Sequence, residues 1–254
     1  MNRGLHVEPE LPTARRDEVL TVASAEAYER WAPIYDYAPN PLLAREERYL
    51  LPLFVDLYSK RILDLACGTG RWLERLMACG AKAGVGIDSS SAMLRVAGKK
   101  NAITTRLARA DCESLPFRAA VFDLAICSFA LGHIRDLRSM VRELARVTKT
   151  GADVFVSDLH PEAYARGWRA GFRDGSKPVQ IEMLPHAAET TNQVFCSNGF
   201  ESLTHAPLWL GDPEKPIFAR AGKIRTFADA CQLPAVLVCH FRRLDSPIEC
   251  RGAS

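Results

Sequence analysis

An α/β fold, with a mostly parallel sheet covered by helices on both faces, is predicted by three observations. Short apolar runs alternate with amphipathic helical stretches from Arg61 to Asp158, a glycine-bearing turn joins the first run to its helix, and aspartates close several of the runs. Such alternation builds a parallel sheet through right-handed crossovers.

Residues 1–22 mix Pro, Glu and Arg without periodicity and are expected to form a flexible arm, with order beginning near Ser24. Residues 23–60 carry helical spacing twice, broken by Pro33, Pro39 and Pro41, which predicts a helical cap with each proline at or between helix starts. The main domain is expected over 61–243. RILDLA is its first strand, CGTG a turn, and RWLERLMACG a helix with Leu73, Leu76 and Met77 on one face and Gly80 as its stop. AGVGID is a second strand, a Ser of the following cluster takes the N-cap position of the helix SSSAMLRVAGKK, and TTRLARAD is a weaker strand. VFDLAICSFA is strongly apolar, and Asp136 caps a helix whose Leu137, Met140, Val141, Leu144 and Val147 share a face. Gly151 is expected to end that helix, before the strand ADVFVSD.

From about 160 to 186 periodicity fails amid aromatics, arginines and glycines, the texture of an inserted lid. A helix from Ala187 to Ser197, stopped by Gly199, then precedes the strands FESLTHAPLWL and PAVLVCHFRR, and 244–254 form a tail.

At 254 residues, against roughly 150 per domain, one large unit with appendages is expected. A net charge of +3, from 33 Lys plus Arg against 30 Asp plus Glu, is too balanced for a dedicated nucleic-acid binder. No apolar run approaches a membrane span, and the amino terminus lacks the apolar stretch of a secretory signal, so a cytoplasmic protein is expected. The eight cysteines include no C-x-x-C pair and no Cys/His cluster at zinc spacing, so reduced thiols and no metal site are expected. Monomer and homodimer remain open.

Asp64-Leu-Ala-Cys-Gly68-Thr-Gly70 lies at the turn from first strand to first helix, where glycines admit a ligand and helix N–H groups are unpaired. Asp88, 18 residues after Gly70, ends the next strand, where a carboxylate can accept both hydroxyls of a ribose. Leu73 stands where a dinucleotide fingerprint needs its third glycine, and Asp64 would repel a diphosphate. A nucleoside carrying positive charge suits the turn better.

ILDLACGTG, GVGIDSSSAML, ADCESLPF and FDLAICSFALGHIRDL, in that order, resemble four motifs of the class I S-adenosylmethionine-dependent methyltransferases, in particular the small-molecule group that includes quinone-biosynthesis C-methyltransferases. The resemblance covers Arg61 to about Asp158. It implies a Rossmann-like seven-stranded sheet with the last strand antiparallel, and S-adenosylmethionine as cofactor. By position it implies that Gly68, Thr69 and Gly70, beside Ala66, cradle the methionine moiety with Asp64 toward its ammonium, and that Asp88 with Ser89 holds the ribose. Met93 would pack on the adenine, Asp111 and the Cys112 backbone would meet its ring, Ser128 and Phe129 would line the methionine side, and Tyr35 or Tyr28 would cover the cofactor. Each also has a plainer reading: Asp64 as a cap, Met93 as core, and Tyr28, Trp31 and Tyr35 as the apolar face of the N-terminal segment.

The implied reaction is methyl transfer to a small organic acceptor by in-line displacement, with a non-catalytic cofactor-binding module as the alternative. His133 and His160 follow apolar strands at the end of the sheet where ligands bind, so both are candidate bases, and His133 could equally hold its loop. Tyr164, Arg166, Trp168, Arg169, Phe172 and Arg173 of the expected lid offer an aromatic slot with cationic grips, or a solvated face.

Overall fold

The computed structural model describes residues 19–245 apart from Ser176; residues 1–18 of the expected arm and 246–254 of the expected tail lie outside the described residues. The central sheet contains β2 (Arg61–Leu65), β3 (Ala83–Asp88), β4 (Leu107–Arg109), β5 (Phe122–Ser128), β6 (Thr148–Leu159), β9 (Phe200–Trp209) and β10 (Pro234–Arg243). Their order is β4-β3-β2-β5-β6-β10-β9, and β10 alone runs against its neighbours. The seven-stranded, mostly parallel sheet with an antiparallel last strand is thus as expected.

Central strands are apolar because helices cover both faces. On one face α5 (Leu137–Val147) buries Leu137, Met140, Val141, Leu144 and Val147, and α7 (Ala188–Ser197) adds Phe195, which stacks on Phe241 with centroids 4.0 Å apart. On the other, α2 (Pro41–Leu50) and α3 (Arg71–Ala78) bury Leu50, Trp72 and Leu76 against Ile62, Leu124 and Phe155. Caps fall where the sequence placed them. Asp136 accepts from the Ser139 N–H at 2.9 Å, and Ser90 caps α4 (Ser91–Ala97) by accepting from Met93 at 3.2 Å. Asn40 accepts from Leu42 and Leu43, with Pro41 in the first turn of α2, where its missing N–H costs nothing.

Three expectations need correction. The Gly151 stop is misplaced: α5 ends at Val147, where the Thr148 hydroxyl donates to the Leu144 carbonyl at 2.6 Å, and Gly151 sits inside β6 at φ +80°, where the pairing with β5 shifts register. The expected arm extends too far, because β1 (Leu20–Val22) pairs in parallel with β8 (Lys177–Ile181). The aperiodic stretch also has more structure than a loop: α6 (Pro161–Ala165) precedes a hairpin of β7 (Gly171–Asp174) with β8. β1, β8 and β7 form a separate three-stranded sheet, packed on α1 (Ser24–Trp31) through Val22, Ala27, Trp31, Val179 and Ile181. Two short helices, α8 (Lys215–Arg220) and α9 (Phe227–Ala230), complete the fold between β9 and β10.

Candidate active site

Strand order reverses between the parallel neighbours β2 and β5: β3 and β4 extend the sheet to one side, and β6 and its successors to the other. Loops diverge at such a point and leave a crevice beyond the carboxyl ends of the strands. The turn after β2 shapes its floor. Ala66, Gly68 and Gly70 have φ of +54°, +55° and +78°, and a Cβ on Gly70 would collide with Ile103 Cδ1. A Cβ on Gly68 would meet nothing within 4 Å, so this backbone lies open to the crevice.

Acidic side chains stitch the turn together. Asp64 Oδ2 accepts from the Leu73 N–H at 2.9 Å, capping the first turn of α3. Asp88 Oδ2 accepts from the Gly68 N–H at 2.7 Å, and its Oδ1 from Ser90 at 2.8 Å. Burial, opposed by the Leu73 hydrogen bond, pushes the Asp64 carboxyl up to about 7, and burial also raises that of Asp88. The Asp88 carboxylate raises that of Asp64 further.

Around this floor lies a chamber of about 610 Å³. Every sequence-predicted cofactor residue except Gly70 lines it: Tyr35, Asp64, Ala66, Gly68, Thr69, Asp88, Ser89, Met93, Asp111, Cys112, Ser128 and Phe129. Gly70 acts one step removed, as the left-handed start of α3. Met93 serves both its readings, since it is buried and still lines the chamber. Phe129 holds φ at +52°, an uncommon conformation for a bulky residue and one that clusters at functional sites.

A second chamber of about 860 Å³ adjoins the first, and Tyr28, Tyr35, Leu43, Phe129 and His133 line both. Trp31, Trp168 and Phe218 give it aromatic walls, and Glu162, Arg166, Arg169, Lys223 and Asp229 bring charge. Of the other expected lid side chains, Tyr164 lies under the Arg169 guanidinium at 3.6 Å and Phe172 stacks on Trp31 at 5.2 Å.

The two histidines part company. His133 lines both chambers, with Nε2 hydrogen-bonded to the Tyr28 hydroxyl at 2.9 Å. His160 lines neither; its Nδ1 accepts from the Glu162 N–H at 3.2 Å and caps α6. Asp158, at the end of β6, lines the larger chamber and accepts from Gly132 at 2.8 Å and Leu159 at 2.6 Å. Burial pushes its carboxyl up to about 6.

Sequence reasoning missed the charged network behind the site. Glu46, fully buried on α2, accepts from Arg71, from Trp72 Nε1 at 3.2 Å, from the Ser128 hydroxyl at 2.7 Å and from Ser157. Its signal is Arg71 itself: a cation at the positive end of a helix is misplaced unless an acid pairs with it. The Thr69 hydroxyl likewise donates to Asp36 at 2.6 Å, and Glu29 accepts from Ser90 and Ala92, at the start of α4.

Residues 62–151 match a family model described as a methyltransferase domain. A ubiquinone biosynthesis O-methyltransferase of Hahella chejuensis is 34% identical over 139 residues, covering 53% of this chain and 56% of that protein. A demethylmenaquinone methyltransferase of Renibacterium salmoninarum is 32% identical over 152 residues, covering 58% and 61%. The chain therefore spans little more than half the length of these relatives. An S-adenosylmethionine dependent methyltransferase structure from Mesorhizobium loti shares the fold, with a TM-score of 0.63 and 22% identity over 80% of this chain and all of that one. The matched segment is therefore similar to a methyltransferase domain and carries the glycine turn, and the fold is the one seen in that S-adenosylmethionine dependent methyltransferase.

The lining suits that cofactor. Open backbone at Gly68 admits close approach, and the buried carboxylates Asp64 and Asp88, whose burial disfavours their charge, would be relieved by a cationic ligand. Among the described residues no group of three or more His, Cys, Asp or Glu is placed to hold a metal, and no helix is long and apolar enough to cross a membrane.

Proposed function

We propose that the chain transfers a methyl group from S-adenosylmethionine to a small organic acceptor, with the cofactor in the smaller chamber and the acceptor in the larger. The observation that carries this reading is the junction itself, where Tyr28, Tyr35, Phe129 and His133 belong to both chambers. When bound, the cofactor supplies a methyl on a sulfonium whose leaving group is a neutral thioether. What remains for the protein is alignment, and effective concentration from such positioning is worth many powers of ten.

Asp88 is placed to accept from the ribose hydroxyls with Ser89 beside it, and Asp64 to face the ammonium. Gly68 and Thr69 cradle the methionine end, closed below by Gly70, with Ala66, Ser128 and Phe129 alongside. Met93, Asp111 and the Cys112 backbone are assigned to the adenine, and Tyr35 to the cover above. His133 is the base candidate that fits, and His160 is left to its cap. Aromatic walls in the larger chamber suit a flat acceptor, and the relatives' names point to quinone-type rings. Acceptor choice is assigned to the cap before Arg61 and the segment 160–186, with a cytoplasmic setting and no nucleic-acid partner. The alternative of a binding module without catalysis gains no support from a second chamber built against the first.

The test is incubation with S-adenosylmethionine carrying a labelled methyl and a panel of hydroxylated aromatics. Label should appear in at least one acceptor, and the larger chamber's Trp168→Ala variant should weaken acceptor binding more than cofactor binding. Cofactor binding without label transfer to any acceptor would favour the binding module.

A further inference from the structure

His133 sits at the boundary of the two chambers, yet neither of its ring nitrogens is open to a ligand. Nδ1 is sealed from solvent and has no hydrogen-bond partner among the described residues. Nε2 is occupied by the Tyr28 hydroxyl at 2.9 Å, with the rings edge to face at 5.3 Å. Tyr28, on α1, lines both chambers. A proton leaving a bound acceptor therefore has one route to the imidazole, through the Tyr28 oxygen.

We propose that Tyr28 and His133 form a two-residue proton relay in which the Tyr28 phenol meets the acceptor hydroxyl and His133 receives the proton. This rests on the methyl-transfer reading above and narrows it, because the methylated atom must then be an oxygen bearing hydrogen. The acceptor's proton passes to the Tyr28 oxygen as the Tyr28 proton passes to Nε2. The acceptor oxygen forms its bond to the methyl carbon while the carbon–sulfur bond breaks and its electron pair stays on sulfur. The positive charge lost by the sulfonium reappears as imidazolium, so atoms and charge balance.

Neighbouring groups favour the assignment of roles. Tyr28 is no base by itself, since burial above all, and then the carboxylates of Asp158 and Asp88, raise its phenol well above the ordinary value. His133 is lowered from its ordinary value by burial, against a small opposing effect of the Glu182 backbone, so it is neutral near pH 7 and free to accept. In the relay the Tyr28 hydroxyl donates to Nε2, which requires the tautomer with hydrogen on Nδ1.

The test is nitrogen-15 NMR of histidine-labelled protein with S-adenosylhomocysteine bound, followed by kinetics. The expected spectrum has a neutral His133 at pH 7 with hydrogen on Nδ1, and Tyr28→Phe moves the Nε2 resonance toward that of an unbonded imine nitrogen. With an acceptor that the wild type methylates, Tyr28→Phe and His133→Gln should each cut kcat about a hundredfold, the lower end of general-base contributions. KM for the acceptor should change less than about threefold, and His133→Gln should remove the acid limb of the kcat profile. Hydrogen on Nε2, a cationic His133 at pH 7, or full kcat in Tyr28→Phe overturns the relay. Failure of the wild type to bind S-adenosylhomocysteine overturns the methyl-transfer reading instead, so the two failures are distinguishable.

Discussion

Asp64 holds two positions at once. Its Oδ2 closes the first turn of α3 on the Leu73 N–H, and its buried carboxyl, pushed up to about 7, lines the smaller chamber. A buried acid with its folded value above its unfolded one makes the folded state hold a proton that the unfolded state has released, so stability falls as pH rises from about 4 to about 7. Asp158, pushed up to about 6, adds to the same slope. Asp64→Asn, which keeps an oxygen for Leu73, should flatten this slope in urea unfolding and hold stability at pH 8 or raise it. A cationic ligand reverses the preference, so cofactor binding at pH 6 should release protons, read as a dependence of calorimetric enthalpy on the buffer's ionisation heat. Gly70→Ala should destabilise by about 1–3 kcal/mol through its positive φ and the contact with Ile103. These residues were legible because a turn, a strand end and a helix start are fixed by neighbours a few positions away. His160 shows the complementary case: following a strand does not place its ring in either chamber, because the Glu162 N–H two residues on draws it into a cap.

At the scale of elements, polar side chains and not only apolar faces hold the N-terminal cap on the sheet. Glu46 ties α2 to the start of α3 through Arg71, and to the ends of β5 and β6 through Ser128 and Ser157. Glu29 ties α1 to the start of α4, and Asp36 ties the segment between α1 and α2 to the glycine turn. Removing one partner of a buried ion pair leaves the other uncompensated, so Glu46→Ala should cost about 3–5 kcal/mol in urea unfolding. It should also weaken cofactor binding, because Arg71 and Ser128 line that chamber. None of this was readable from periodicity. Glu46 lies on a helix read only by its apolar spacing, and its partners stand 25 to 111 positions away. The small sheet escaped for a related reason: β1, β7 and β8 have three to five residues each, and Leu20 pairs with Val179 across most of the chain.

Across the whole molecule, the alternation from Arg61 to Asp158 was enough to give the strand and helix sequence, because each unit is local and each crossover has one hand. The second chamber was not, since it is assembled from α1, the segment before α2, the insert after β6 and the helices between β9 and β10. The cap and insert form one unit through the pairing of β1 with β8, which brings Phe172 against Trp31, a lining residue of the larger chamber. A ligand that binds only the folded state raises its stability, so S-adenosylhomocysteine at about a hundred times its Kd should add about 2.7 kcal/mol to unfolding. The most direct test of the central claim is calorimetric titration of wild type and Asp88→Ala with S-adenosylhomocysteine. The account predicts one site per chain in the wild type and at least a tenfold loss, about 1.4 kcal/mol, in the variant. No binding to the wild type, or equal binding by both, would contradict it.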